Sequence, residues 1–137
     1  MLSTNTKVVK HSILIIDDDA LIITTLKKRF ATRETEIFTA GTPEEARIIL
    51  EKLVPEIVIL DLLLTKDDGS TGIMDYLKSQ ERLQNVPVII LTNLDKPELK
   101  QVLLSQGVKE YLVKGSLTLD QLYEKVLGYL EPKEENK

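Results

Sequence analysis

Glu56-Ile57-Val58-Ile59-Leu60-Asp61 is the stretch on which the fold of this chain turns. An apolar run rich in β-branched residues follows Pro55 and stops abruptly at a carboxylate. A run of that length reads as a strand buried on both faces, as in a parallel sheet. In open α/β sheets, functional groups gather beyond the carboxyl ends of such strands. Asp61 is expected there, on a stiff base. Other runs end in the same way: Ile13-Leu14-Ile15-Ile16 in Asp17-Asp18-Asp19, Val88-Ile89-Ile90-Leu91 in Thr92-Asn93, and Tyr111-Leu112-Val113 in Lys114. Their convergence predicts one acidic, cation-binding, phosphoryl-accepting site.

Between the strands the period changes to that of helices. Ile22, Ile23, Leu26 and Phe30 share one face after the first strand, and one aspartate of the preceding triplet serves as N-cap. Glu36-Ile37-Phe38-Thr39-Ala40 reads as a second strand. Thr42-Pro43-Glu44-Glu45 then starts a helix, with Thr42 and Glu45 as a capping box and Pro43 at the first helical position. Ala46, Ile49, Leu50 and Leu53 form its buried stripe. Residues 62–71 read as a loop with the turn-rich tip Thr65-Lys66-Asp67-Asp68-Gly69-Ser70, ahead of a helix over 72–83. Asp95 and Glu98 mark the start of a helix that buries Leu99, Val102 and Leu103 and ends near Gly107. A strand over 109–113 and a helix over 119–130 follow, the helix carrying Leu119, Leu122, Tyr123, Val126, Leu127 and Leu130 in register. Strict strand-helix alternation implies an α/β fold, a five-stranded parallel sheet with helices on both faces.

The composition fits one domain over 11–130, with a loosely held lead-in at 1–10 and a charged, disordered tail at 131–137. With 42% hydrophobic and 29% charged residues the chain is globular. A net charge of −4 gives no support to a nucleic-acid surface, which would be strongly basic. The absence of cysteine excludes disulfides and thiolate metal sites. No apolar stretch approaches the roughly 18 residues of a membrane span, and residues 1–12 lack the apolar core of a signal peptide. A soluble cytoplasmic protein without membrane contact is therefore expected. His11, the sole histidine, has no neighbours at metal-ligand spacing and reads as an ordinary surface residue.

Carboxylates from two strand ends repel when brought together unless something compensates them. A hard divalent cation such as Mg²⁺ does so through oxygen ligands. Lys114 supplies an ammonium for phosphoryl oxygen or Asp61, Thr92 supplies a hydroxyl, and Asp61 is a nucleophile able to form an acyl phosphate. Taken singly, each has a bland reading: Asp17 to Asp19 a solvated cap cluster, Thr92 a strand-end residue, Lys114 a surface lysine, Tyr111 a half-buried packing residue. Their conjunction at four strand ends decides for the site.

In that combination the chain resembles the response-regulator receiver domain, the phosphoacceptor module of two-component signalling, over roughly residues 11–130. The matching motifs are Ile13-Leu14-Ile15-Ile16-Asp17-Asp18-Asp19, Ile57-Val58-Ile59-Leu60-Asp61, Ile90-Leu91-Thr92 and Tyr111-Leu112-Val113-Lys114. The resemblance implies a flavodoxin-like, doubly wound sheet in the order 2-1-3-4-5 with five helices. It implies Asp61 as the phosphorylated residue and Asp17 with Asp18 as the acidic pair. Mg²⁺ is then held around that pair by Asp18, Asp61 and the backbone carbonyl of Leu63. Thr92 and Lys114 contact the phosphoryl group, and Thr92 with Tyr111 forms a conformational switch. Implied partners are a histidine kinase or histidine phosphotransfer protein and an output protein, with a phosphorylation-dependent homodimer as a further option. Such a module is not an enzyme, although it assists its own phosphorylation and dephosphorylation.

The chain also departs from the family pattern. Thr65 replaces a proline and the stretch to Gly72 is longer. Asn93 follows the threonine where a small residue is usual, and Gly115 follows the lysine where proline is common. Asn93 is thereby a modulator of the attacking water, and Gly115 of the lysine's placement. Two other readings stand beside the receiver. One is a degenerate receiver that binds partners without phosphorylation. The other is a phosphatase of the haloacid-dehalogenase type, with Asp17-x-Asp19 as nucleophile motif, Leu91-Thr92-Asn93 as second motif and Lys114 as third. Against the latter, no acidic motif follows Lys114 at a suitable strand end.

Overall fold

The computed structural model describes residues 10–32, 34–63 and 69–130. Strands β1 (His11–Ile16), β2 (Thr35–Ala40), β3 (Ile57–Leu60), β4 (Val88–Thr92) and β5 (Glu110–Val113) alternate with helices α1 (Ala20–Phe30), α2 (Pro43–Lys52), α3 (Gly69–Ser79), α4 (Pro97–Ser105) and α5 (Leu119–Leu127). The strands form one parallel sheet in the order β2-β1-β3-β4-β5, the expected doubly wound, flavodoxin-like arrangement. The chain steps outward from β1 to β2, then returns across β1 to β3. The crevice at that reversal opens at the carboxyl ends of β1 and β3.

Continuous apolar strands follow from burial on both sides. Side chains alternate across a strand. Leu14, Ile16, Val58, Leu60 and Ile90 face Ala46 and Leu50 of α2, Ile73 and Leu77 of α3, and Leu103 of α4. Ile13, Ile15, Ile57, Ile59, Ile89 and Leu91 face Leu26 and Phe30 of α1 and Leu122 and Val126 of α5.

Helix starts follow the local chemistry unevenly. Asp19 is the aspartate that caps α1, its carboxylate accepting the Leu21 and Ile22 N–H groups. Thr42 caps α2 through the Glu45 N–H, but the Glu45 carboxylate takes the Gly41 N–H, so the expected box is not closed on Thr42. A reciprocal box forms instead at Thr118 and Gln121, ahead of α5. At α4 the cap position is Lys96, with no side-chain bond; Asp95 does not cap, and Pro97 leaves one orphan N–H fewer.

Several expectations are corrected. Helix α3 spans Gly69–Ser79 rather than 72–83. Leu83 is buried from a turn closed by its N–H on the Gln80 carbonyl, so its helical spacing was fortuitous. Helix α5 stops at Leu127, and Leu130 packs from the turn beyond Gly128. Val102, Leu119 and Leu127 are exposed, because α4 and α5 are nine-residue helices whose contact line on the sheet is narrow. His11 is half-buried rather than superficial: its Nδ1 meets the Glu56 carboxylate, tying the start of β1 to the residue before β3. Of the loop tip expected over 65–70, Gly69 and Ser70 belong instead to α3, while residues 64–68, Thr65 among them, lie outside the described residues, as do residues 1–9 of the lead-in and the tail at 131–137.

The register of α4 gives a direct test. Truncating buried Leu103 to Ala should cost about 2–5 kcal/mol in urea unfolding. Val102→Ala, one position along at 50% exposure, should stay within about 0.5 kcal/mol of wild type. A reversal of the two would refute the observed face.

Candidate functional site

Parallel pairing places the residues that follow the strands side by side. Ile16 is opposite Leu60, so Asp17 and Asp61 emerge as neighbours, and Thr92 is opposite Val113, next to Lys114. Backbone bonds extend the ladder into the site: Asp17 N–H to Ala40 O at 2.9 Å, Asp61 N–H to Ile16 O at 3.0 Å, and Lys114 N–H to Thr92 O at 2.7 Å. The side chains therefore start from fixed positions. Asp17, Asp61 and Thr92 are buried, whereas Asp18 is exposed at the mouth.

Carboxylate oxygens of Asp17, Asp18 and Asp61 lie within 4.8 Å of one another. The Lys114 ammonium bridges two of these acids, with Nζ 2.8 Å from Asp17 Oδ2 and 3.1 Å from Asp61 Oδ2. The other oxygens of the same acids accept backbone donors. Asp17 Oδ1 takes the Asp19 N–H at 2.9 Å, and Asp61 Oδ1 takes the Leu63 N–H at 3.0 Å.

Burial is the main influence on Asp17 and raises its pKa, with a contribution from the Asp61 charge; the hydrogen bonds from Lys114 and Asp19 oppose it but do not prevail. Burial alone would lower the pKa of Lys114, yet its contacts with Asp17 and Asp61 outweigh that and the net shift is upward. A single shared ammonium remains firmly charged, but it does not compensate two buried carboxylates and a third at the mouth. The residual negative charge, with an all-oxygen donor set, suits a hard divalent cation.

Thr92 Oγ1 accepts the Leu94 N–H at 3.3 Å, and the Tyr111 hydroxyl donates to the Leu94 carbonyl. Tyr111 is fully packed rather than half-buried, and burial raises its pKa. Leu94 was not foreseen in the site. It takes part through its main chain, which no residue type announces. Asn93 is exposed immediately after Thr92. Gly115 has φ +87°, a region proline cannot enter. Asp19 is spent on capping α1 and stands outside the carboxylate cluster, which removes one leg of the phosphatase reading.

The sequence profile of the response regulator receiver domain family matches residues 13–127. The chain belongs to this family. A probable transcriptional regulator, ycf27, of Porphyra purpurea is 36% identical over 105 residues, covering 77% of this chain and 42% of that protein. The Bacillus subtilis alkaline phosphatase synthesis transcriptional regulatory protein PhoP is 30% identical over 102 residues, 74% of this chain and 41% of its own. The receiver thus spans about two fifths of the length of these relatives. Among solved structures, the receiver domain of the Francisella response regulator 1452 is 28% identical with a TM-score of 0.75, over 88% of this chain and 96% of that one. The non-phosphorylated HemR receiver domain of Leptospira biflexa shares the fold at a TM-score of 0.79 and 21% identity, over 93% and 100% of the two chains. This chain is therefore a receiver domain of two-component signalling, a signalling module by family. Among the described residues no helix is long and apolar enough to cross a membrane.

The charge imbalance generates two predictions. Because the folded-state pKa of Asp17 is raised, its contribution to stability is present below the ordinary carboxylate range and is lost as pH rises through the raised value. Asp17→Asn should therefore melt higher than wild type in metal-free buffer at pH 7, and the difference should shrink as pH falls toward 4. Removing the competing ammonium with Lys114→Met should strengthen Mg²⁺ binding, by about 1–2 kcal/mol or roughly 5- to 30-fold. Calorimetric titration reads this directly, and unchanged or weaker binding would show that Lys114 does not compete with the cation.

Proposed function

We propose that the chain is a phosphorylation-switched receiver that accepts a phosphoryl group on Asp61 from a phosphohistidine of a sensor kinase or phosphotransfer protein. The observation that carries this reading is the meeting of three carboxylates within 4.8 Å of one another, with one ammonium 3.1 Å from Asp61. Asp61 Oδ2 attacks phosphorus, the P–N bond to the donor imidazole breaks, and the imidazole leaves with its electron pair. Lys114 shifts its pairing toward a phosphoryl oxygen, which neutralises part of the arriving charge. The Thr92 hydroxyl donates to a second oxygen. A Mg²⁺ ion held by Asp18, Asp61 and the Leu63 carbonyl, beside Asp17, would neutralise further charge on the transferring group. Hydrolysis by water returns the carboxylate, and exposed Asn93 at the mouth, with Gly115 behind Lys114, modulates that lifetime.

The output is a population shift. Movement of Thr92 alters its hold on the Leu94 N–H, and Tyr111 responds at the carbonyl of the same residue. The face of α4, β5 and α5 then changes its affinity for an output protein or a second receiver, and the shift is only as large as the partner's preference between the two states. The setting proposed is the cytoplasm.

Incubation with a small acyl phosphate and Mg²⁺ should add one phosphoryl group by intact mass, and Asp61→Asn should add none. A wild type that gains no mass would favour a phosphorylation-independent binding module. Thr92→Ala should still accept the group while the Tyr111 ring resonances stay at their unphosphorylated positions. Movement of those resonances in Thr92→Ala would break the proposed link.

A further inference from the structure

A partly open cavity of about 110 Å³ lies between α1 and α5, with Lys114 in its wall and none of Asp17, Asp18 and Asp61 lining it. Ile22 and Leu26 of α1, Leu91 of β4, and Leu117 and Leu122 from the β5–α5 side wall it with hydrocarbon. Lys114 and Gly115 form part of the same wall. Gly115 itself is exposed, and apart from its chain neighbours no atom lies within 4 Å of where its Cβ would stand. Two wider clefts elsewhere are lined by charged groups, one by Lys10, Lys27 and Lys28 and one by Glu56 and Arg82.

The polar atoms bordering this cavity are engaged. The Thr25 hydroxyl donates to the Leu21 carbonyl, Thr118 Oγ1 accepts the Gln121 N–H, and Lys114 Nζ is held by Asp17 and Asp61. Its hydrocarbon walls offer water few partners, and apolar cavities of roughly 150 Å³ take up benzene or xenon. We propose that the cavity is a binding site for a small neutral apolar molecule, of the size of one ring or a short branched aliphatic. Its occupant packs on the hydrocarbon stem of Lys114. With the ammonium already committed to the two acids, an occupied cavity restrains the stem. By reciprocity, whatever draws Lys114 forward changes the affinity for the guest. The proposal stands on the cavity itself and is independent of phosphoryl transfer to Asp61.

The test uses the whole chain, free of metal and phosphodonor, with xenon and benzene as probes and methyl and Lys114 side-chain resonances as readout. Saturable shifts are expected at Ile22, Leu26, Leu117 and Leu122. The Lys114 ε-methylene should follow the same binding curve, while Leu50 and Ile73 across the sheet stay put. Thr25→Leu, which enlarges one wall residue and gives up its hydroxyl bond within α1, should lose the shifts. The proposal is overturned by non-saturable shifts, by equal movement on both faces of the sheet, or by methyl shifts that leave Lys114 unmoved. Survival of the shifts in a folded Thr25→Leu would overturn it as well, and the wild-type pattern decides alone where that variant does not fold. Because no phosphodonor enters, failure here leaves the phosphoacceptor reading untouched.

Discussion

A single ammonium shared between two buried carboxylates sets the terms for this receiver. Lys114 sits 2.8 Å from Asp17 and 3.1 Å from Asp61, and the three charges do not cancel. Left to a flexible backbone, the two acids would drift apart and solvate separately. They cannot, because each is the first residue beyond a strand whose ladder continues one bond further, through Asp17 N–H to Ala40 and Asp61 N–H to Ile16. Those strands are buried on both faces, so moving an acid would mean moving core. Hydrophobic packing thus holds an electrostatic imbalance in place, and that imbalance is what the proposed cation and phosphoryl group would relieve.

The same double burial explains how much was legible in the sequence. A strand covered on both faces must be apolar at every position, so β1, β3 and β4 stand out as unbroken runs, and the polar residue ending each run marks the rim. Asp17, Asp61 and Thr92 were readable for that reason, whereas Lys114 follows the half-buried edge strand β5 and was placed by its position after Tyr111-Leu112-Val113. Helix ends were less so. Leu83 and Leu130 keep helical spacing beyond the ends of α3 and α5, because a turn can return an apolar side chain to the same core. Val102, Leu119 and Leu127 show the converse, apolar residues beside a contact line too narrow to cover them. His11 misled because its partner Glu56 lies 45 residues away and meets it only through the pairing of β1 with the start of β3.

What no residue pattern announces is main-chain traffic, and the proposed switch depends on it. Thr92 and Tyr111 meet at the Leu94 main chain, one taking its N–H and the other donating to its carbonyl. Leu94 stands at the entrance to α4. Helices α1, α2 and α5 begin under side-chain caps from Asp19, Thr42 and Thr118, whereas α4 begins at Lys96 with no such bond and has only Leu103 fully buried. A cap contributes about 1 kcal/mol to a helix start. Without one, the approach to α4 is held by the two bonds to Leu94 and by the Lys96 backbone bond to Tyr111, so the proposed movement of Thr92 toward a charge on Asp61 would loosen the most weakly tied of these four helix starts. A segment that moves in signalling has to come from the low-stability end of the structure. In this chain, the uncapped start of α4 and the two-sided hold on Leu94 place that end next to Thr92, at the rim of the proposed phosphoacceptor site.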